Sequence, residues 1–175
     1  MSDREHLGRI ALQHLIWSYC HAIDRRDYAL LRSLYHDDAI DDHGAMFCGS
    51  PDAYVAWLPV MMANWQATAH TVSNILFLFE NDHAEGEIGC TAWHRTADGT
   101  QNQIIHGRYL DQYRKRAGEW KLTRRALVLD RAEQHPAPTT GAAGADDGVE
   151  RGRPGLDDPC YRRLPLFRQR RGAQH

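Results

Sequence analysis

The hydrophobic period of this chain changes once, and that change does most to limit what it can fold into. Leu12, Leu15, Ile16, Tyr19 and Ile23 recur at the spacing that gathers apolar side chains on one helix face. Residues 4–24 therefore read as one amphipathic helix. From about residue 69 the pattern is that of strands, over 69–80, 83–95, 101–115 and 119–131. The turn signals Asn81-Asp82, Asp98-Gly99 and Ala117-Gly118 separate them. Helices first and a long antiparallel meander afterwards predict an α+β fold. In it, N-terminal helices pack on a strongly curved, mostly antiparallel sheet, and a cavity lies between the long helix and the sheet.

The stretch between helix and meander is punctuated. "DRRDY" makes a turn, and Tyr28, Leu31, Leu34 and Tyr35 follow as a second short helix. "DDAIDDHGAMFCG" reads as an edge strand or hairpin. Ser50-Pro51-Asp52 opens another helix, with an N-cap serine and proline at the first helical position. That helix carries Tyr54, Trp57, Leu58, Met61 and Trp65, and Pro59 is expected to kink it. After Gln134 large apolar residues almost vanish from "PAPTTGAAGADDGVERGRPGLDDP". Such a stretch buries too little to offset its ordering entropy. The chain is thus divided into a folded domain, 1–135, and a Pro/Gly-rich charged tail, 136–175. A loose tail is the first reading and a flap over the pocket the second. Tyr161, Leu164, Leu166 and Phe167 are the residues able to clip it to the body or to a neighbouring subunit.

Charge and cysteine usage exclude several classes. A chain of 175 residues suits one domain with a real core. Its 21 basic and 23 acidic residues give no basic footprint for nucleic acid. No apolar run approaches the roughly 20 residues of a membrane helix. "MSDREHLGRI" lacks a signal-peptide core. Cys20, Cys48, Cys90 and Cys160 are scattered, with no CxxC pair. A cytoplasmic protein without membrane or nucleic-acid partners is expected.

His70 stands in the polar patch "ATAHTVSN", just ahead of the apolar run "ILFLFE". It is either a strand-end histidine satisfied by backbone or a base. Three blocks bear on that choice: "YCHAIDRRDYALLRSLYHDDA", "ATAHTVSN" and "GRYLDQYRKRAGEWKLTRRALVLD". Together, over residues 5–133, they resemble the SnoaL-like branch of the nuclear-transport-factor-2-like superfamily, near its dehydratase, dehydrochlorinase and ketosteroid-isomerase-type enzymes. The resemblance implies a cone-shaped α+β barrel with an apolar, one-ended pocket. That superfamily hosts lyases, isomerases, hydrolases and non-catalytic binding domains, so fold alone does not fix the reaction.

At single positions the resemblance implies more. Asp24 of "AIDRRD" and His70 match the aspartate and histidine of the superfamily's cofactor-independent eliminating enzymes. Tyr19, five residues before Asp24, matches a tyrosine of a bile-acid dehydratase. Arg125, five residues after Trp120, falls where a dehydrochlorinase has a pocket arginine. Asp41 and His43 stand where relatives carry an aromatic, implying a more polar pocket; Trp57 and Tyr109 are further candidate substrate contacts.

The chemistry of the pair stands without the family. Neutral imidazole accepts a proton near neutral pH, and a carboxylate on its other nitrogen fixes the tautomer and stabilises the imidazolium. On residues alone, however, Asp24 reads as a turn aspartate, and Tyr19 as a core tyrosine with a satisfied hydroxyl. Arg125 shares strand parity with Leu127 and Leu129 but opposes Trp120 and Leu122. An inward arginine after a bulge and an outward one in a surface ion pair both remain open.

The 11 histidines invite a metal reading. His36, Asp37, Asp38, Asp41, Asp42 and His43 cluster, yet at no zinc-ligand spacing. His14 and His21 lie seven apart, not at the i, i+4 spacing of a metalloprotease. His94 and His106 sit on adjacent strands, and either is placed to face the cavity. No metal and no nucleotide cofactor are expected. The expected function is a cofactor-free lyase, of dehydratase type, on an apolar cyclic or steroid-like small molecule. In it His70 is the base, Asp24 its orienter and Tyr19 the aid to the leaving group, with Arg125, His43 and Asp41 holding polar groups. A double-bond isomerase and a non-catalytic binding or assembly module are the alternatives. The resemblance implies a homo-oligomer, a dimer or trimer built on the outer face of the sheet.

Overall fold

A computed structural model describes residues 2–138 and 148–172, with side chains to residue 169. Helix α1 (Asp3–Asp24) is the long helix expected, opened by Ser2, whose hydroxyl accepts from the Glu5 amide. Its buried face carries Leu12, Ile16, Tyr19 and Ile23. Arg26, with φ of 52°, reverses the chain, and Asp27 caps α2 (Tyr28–Ser33) by accepting from the Leu30 amide. Next come β1 (Tyr35–Asp42) and the two-residue β2 (Cys48–Gly49), which pair as a hairpin. Ser50 caps α3 (Pro51–Met62), which runs on through Pro59 and ends three residues later.

The meander follows as β3 (Trp65–Glu80), β4 (His83–Thr96), β5 (Gln101–Arg116) and β6 (Glu119–Pro136). The six strands lie in the order β2-β1-β6-β5-β4-β3, antiparallel except where β1 runs parallel to β6. The fold is α+β, as expected. Its edge strands β2 and β3 do not pair with each other, so the cone is an open sheet wrapped around α1 and not a hydrogen-bonded barrel. Two of its single-residue bulges set the direction of the residues discussed below. In β3 the register slips at Asn74, which takes φ of 49°; in β6 it slips at Thr123. Each bulge reverses which parity faces inward. Thr68, His70 and Val72 point in before Asn74, and Ile75, Phe77 and Phe79 after it. Leu122 points in before Thr123 and Arg125 after it, which explains their opposed parity.

Part of the tail docks. A 3-10 turn (Gly155–Asp157), α4 (Pro159–Arg163) and α5 (Pro165–Gly172) follow the 139–147 stretch, which lies outside the described residues. The Gly155 amide donates to the Arg25 carbonyl, and Asp158 pairs with the Arg25 guanidinium at 3.3 Å. The Tyr161 hydroxyl donates to Asp27 Oδ2 at 3.0 Å and lies 3.2 Å from His21 Nε2. Tyr161 and Asp158 are buried, whereas Leu164, Leu166 and Phe167 stay largely exposed. A polar clip holds this segment: Asp158 and Tyr161 bond Arg25 and Asp27, in the turn between α1 and α2. No helix among the described residues is long and apolar enough to cross a membrane.

Candidate active site

Asp24 is the last residue of α1, and His70 lies on the inward face of β3. They meet. His70 Nδ1 is 2.7 Å from Asp24 Oδ1, and the His70 backbone amide donates to Oδ2 at 2.8 Å. Thr68, one inward position earlier on the same strand, donates its hydroxyl to Oδ1 at 2.8 Å. Both members are nearly buried, with 9% side-chain exposure for His70 and 11% for Asp24. Burial alone would raise the Asp24 pKa, but the ring, amide and hydroxyl donors of His70 and Thr68 outweigh it and hold the carboxyl below its ordinary value. With Nδ1 committed to the carboxylate, Nε2 is the nitrogen left to act, the arrangement of an oriented general base.

His94 of β4 completes this end of the cone. Its ring packs against Trp65, with centroids 4.8 Å apart, and stands edge-on to His70. It is 7% exposed and its Nδ1 is buried without a partner. Burial, and then the neighbouring His70, push its pKa down to about 4. Of the two histidines left open by the sequence, His94 faces inward. His106 lies on the outer face, 3.3 Å from the Thr91 hydroxyl and 3.6 Å from Glu133.

The remaining candidates form a second cluster. Arg125 is fully buried and donates from Nε and Nη2 to the two Asp111 oxygens at 2.8 and 2.6 Å. The Tyr19 and Tyr109 rings cover its guanidinium at 3.9 and 4.1 Å, leaving Nη1 buried and unpaired. The Tyr19 hydroxyl is 2.9 Å from that of Tyr54, and burial followed by Asp41 raises the Tyr19 pKa, so the phenol keeps its proton. Asp41 accepts from the Tyr35 hydroxyl at 2.5 Å. His43 Nε2 lies 2.9 Å from Asp41 Oδ1 without forming a hydrogen bond, and both atoms are buried with no hydrogen-bond partner. The His43 ring stacks on Tyr54, and Trp57 stacks on Tyr54 and Phe47. The structure thus joins Tyr19, Tyr109 and Arg125 directly, and His43, Asp41 and Trp57 through Tyr54 and its neighbours. It ties the Tyr19 hydroxyl to Tyr54. Thr68, Tyr54 and Asp111 escaped the sequence reading. Strand alternation from His70 points to Thr68, and that from Tyr109 and Tyr113 to Asp111.

The SnoaL-like domain family matches residues 4–126. The chain belongs to that family. No curated protein matches it in sequence. Among solved structures, a scytalone-dehydratase-like protein from Novosphingobium aromaticivorans DSM 12444 is 24% identical with a TM-score of 0.72, over 81% of this chain and 99% of that one. Hexachlorocyclohexane dehydrochlorinase LinA-type3 from Novosphingobium barchaimii LL02 is 22% identical with a TM-score of 0.71, over 87% and 100%. A protein of unknown function from Mycobacterium tuberculosis is 21% identical with a TM-score of 0.66, over 74% and 75%. At these identities the likeness is one of fold.

Proposed function

We propose that this SnoaL-like protein is a cofactor-independent lyase that removes water from a hydroxylated, largely apolar cyclic molecule. The observation that carries the reading is the pairing of Asp24 with His70 Nδ1, which leaves Nε2 as the acting nitrogen. His70 Nε2 takes a proton from carbon, the C–H electron pair becomes the new C=C bond, and the C–O bond to the leaving hydroxyl breaks. The imidazolium, stabilised by Asp24, then returns that proton to the departing hydroxide, so one water leaves and the base is restored. A carbon beside a carbonyl is the proton source this requires, because an unactivated C–H is too weakly acidic. Tyr19, Arg125, Asp41 and His43, with Trp57 and Tyr109, form the polar and aromatic end that receives the substrate's oxygen atoms. Dehydratase- and dehydrochlorinase-type neighbours of the same fold support a lyase.

Assembly belongs to the same reading. Leu76, Leu78 and Leu110 are exposed on the outer sheet face, which suits a homo-oligomer, a dimer or trimer. The experiment is incubation with a panel of β-hydroxy cyclic ketones, read by mass. Loss of 1 water (about 18 mass units, from the elimination written above) is expected. An unchanged mass with a moved double bond assigns the isomerase instead, and no conversion across the panel favours a binding module.

A further inference from the structure

Asp24 occupies an unfavourable place for a carboxylate. It ends a helix of 22 residues, where the macrodipole is negative and favours cations. It is also nearly buried, which disfavours its charge. Three donors offset this, and all come from one short stretch of β3. The His70 ring and the Thr68 hydroxyl converge on Oδ1, while the His70 amide takes Oδ2. Because β3 is an edge strand, that amide points away from β4 and is free for Asp24. The strand period puts the Thr68 and His70 side chains on the same face, so a single strand grips both oxygens. Thr68 is itself buried, at 8% exposure, and its hydroxyl is directed at Asp24.

We propose that Thr68 is the positioning residue of the Asp24–His70 pair: its hydroxyl fixes the rotation of the carboxylate and keeps it ionised, so that the proton stays on His70 Nδ1. The assignment rests on the reading of His70 as the base. Without the hydroxyl, Oδ1 has the imidazole as its only donor and the carboxylate is held by His70 alone. The other ionisable groups around Asp24 are Cys20 and His21 on α1, Arg25 and Arg26 after it, Cys90 and His94 on β4, and Arg153 across a crevice of about 200 Å³. None of them changes when Thr68 is replaced.

The test needs no substrate. Carboxyl-labelled aspartate, followed by carbon NMR against pH, reports the Asp24 titration, and Asp24→Asn identifies the resonance. Thr68→Val is expected to raise the Asp24 midpoint by about one to two units, the size of one hydrogen bond to a charged group. Thr68→Ser, which keeps the hydroxyl, should restore it. On a β-hydroxy ketone that the protein dehydrates, kcat in Thr68→Val should fall about tenfold with KM unchanged, as expected for a group that acts through the base. Thr68→Ala carries the same comparison if the valine variant does not fold. An Asp24 titration identical in wild type, Thr68→Val and Thr68→Ala overturns the assignment. Full turnover by His70→Ala would instead end the base reading, whatever the NMR shows, so the two failures are told apart.

Discussion

His94 stands edge-on to His70, the ring centroids 5.6 Å apart and the planes at 88°. Burial and the nearby His70 hold His94 neutral, with its pKa lowered to about 4. The unfolded chain, with an ordinary histidine near 6.5, takes up that proton first as the pH falls. Stability is therefore whole above about 6.5 and is lost down to about 4, in full by about 3 kcal/mol. Urea midpoints at about pH 7 and about pH 5 should differ in this sense, and His94→Gln should flatten the difference.

His70→Ala should lower turnover of any accepted hydroxy ketone by roughly 100-fold or more, the usual cost of losing a general base. Asp24→Asn should cost nearly as much, because an amide cannot stabilise the imidazolium. Far-UV circular dichroism should show both variants folded. Retention of full activity by His70→Ala would return it to the role of a strand-end histidine.

The carboxyl of Asp24 sets a further acid dependence. Its folded pKa lies below the unfolded value of 3.8, so its contribution is present above that value and is lost as pH falls through the folded one. Acid unfolding followed by fluorescence should show a shallower loss in Asp24→Asn below about pH 4.

Arg125 and Asp111 are both fully enclosed, so neither tolerates losing the other. Arg125→Leu or Asp111→Asn should each destabilise the fold by roughly 3–5 kcal/mol, the cost of leaving a buried partner uncompensated. Arg125→Lys should not rescue, since an ammonium cannot fork onto both oxygens or stack between Tyr19 and Tyr109. The double change Arg125→Met with Asp111→Leu should cost less than the two single losses together. Denaturant unfolding measures all four.

Tyr161→Phe removes one donor from the buried carboxylate of Asp27. A loss of roughly 1–3 kcal/mol is expected for a hydrogen bond to a charged group, read as a lowered thermal midpoint. No change in the melt would mean that the docked tail contributes nothing to the body.

Much of this is legible in the sequence, and the gaps have physical causes. Leu12, Ile16 and Tyr19 announce α1 because one helix face is buried from Gly8 to Ile23. The alternating pattern begins only at 69, four residues after β3 itself starts at Trp65, because Gln66 and Ala67 are exposed and carry no such signal. The direction of Arg125 cannot be read, since the bulge at Thr123 changes parity without any change in composition. Asp24 and His70 emerge only through the resemblance, because a contact across 46 positions leaves no local trace. Tyr161 stands out in the sequence as a residue able to clip the tail, but its partner Asp27, 134 positions away, has no motif to reveal it.

The slip at Asn74 gives β3 something like a reading frame. From Ala67 to Ser73 the strand is phased to one face by the extra residue, and everything C-terminal is phased without it. Removing Asn74 alone, while β3 from Ile75 onward keeps its place, would turn Thr68, His70 and Val72 to the outer face. Asp24 would then stand at the end of its helix with no ring to orient. The chain would keep every catalytic side chain and lose the site, so a single deleted residue here is a deeper change than a substitution at the histidine itself.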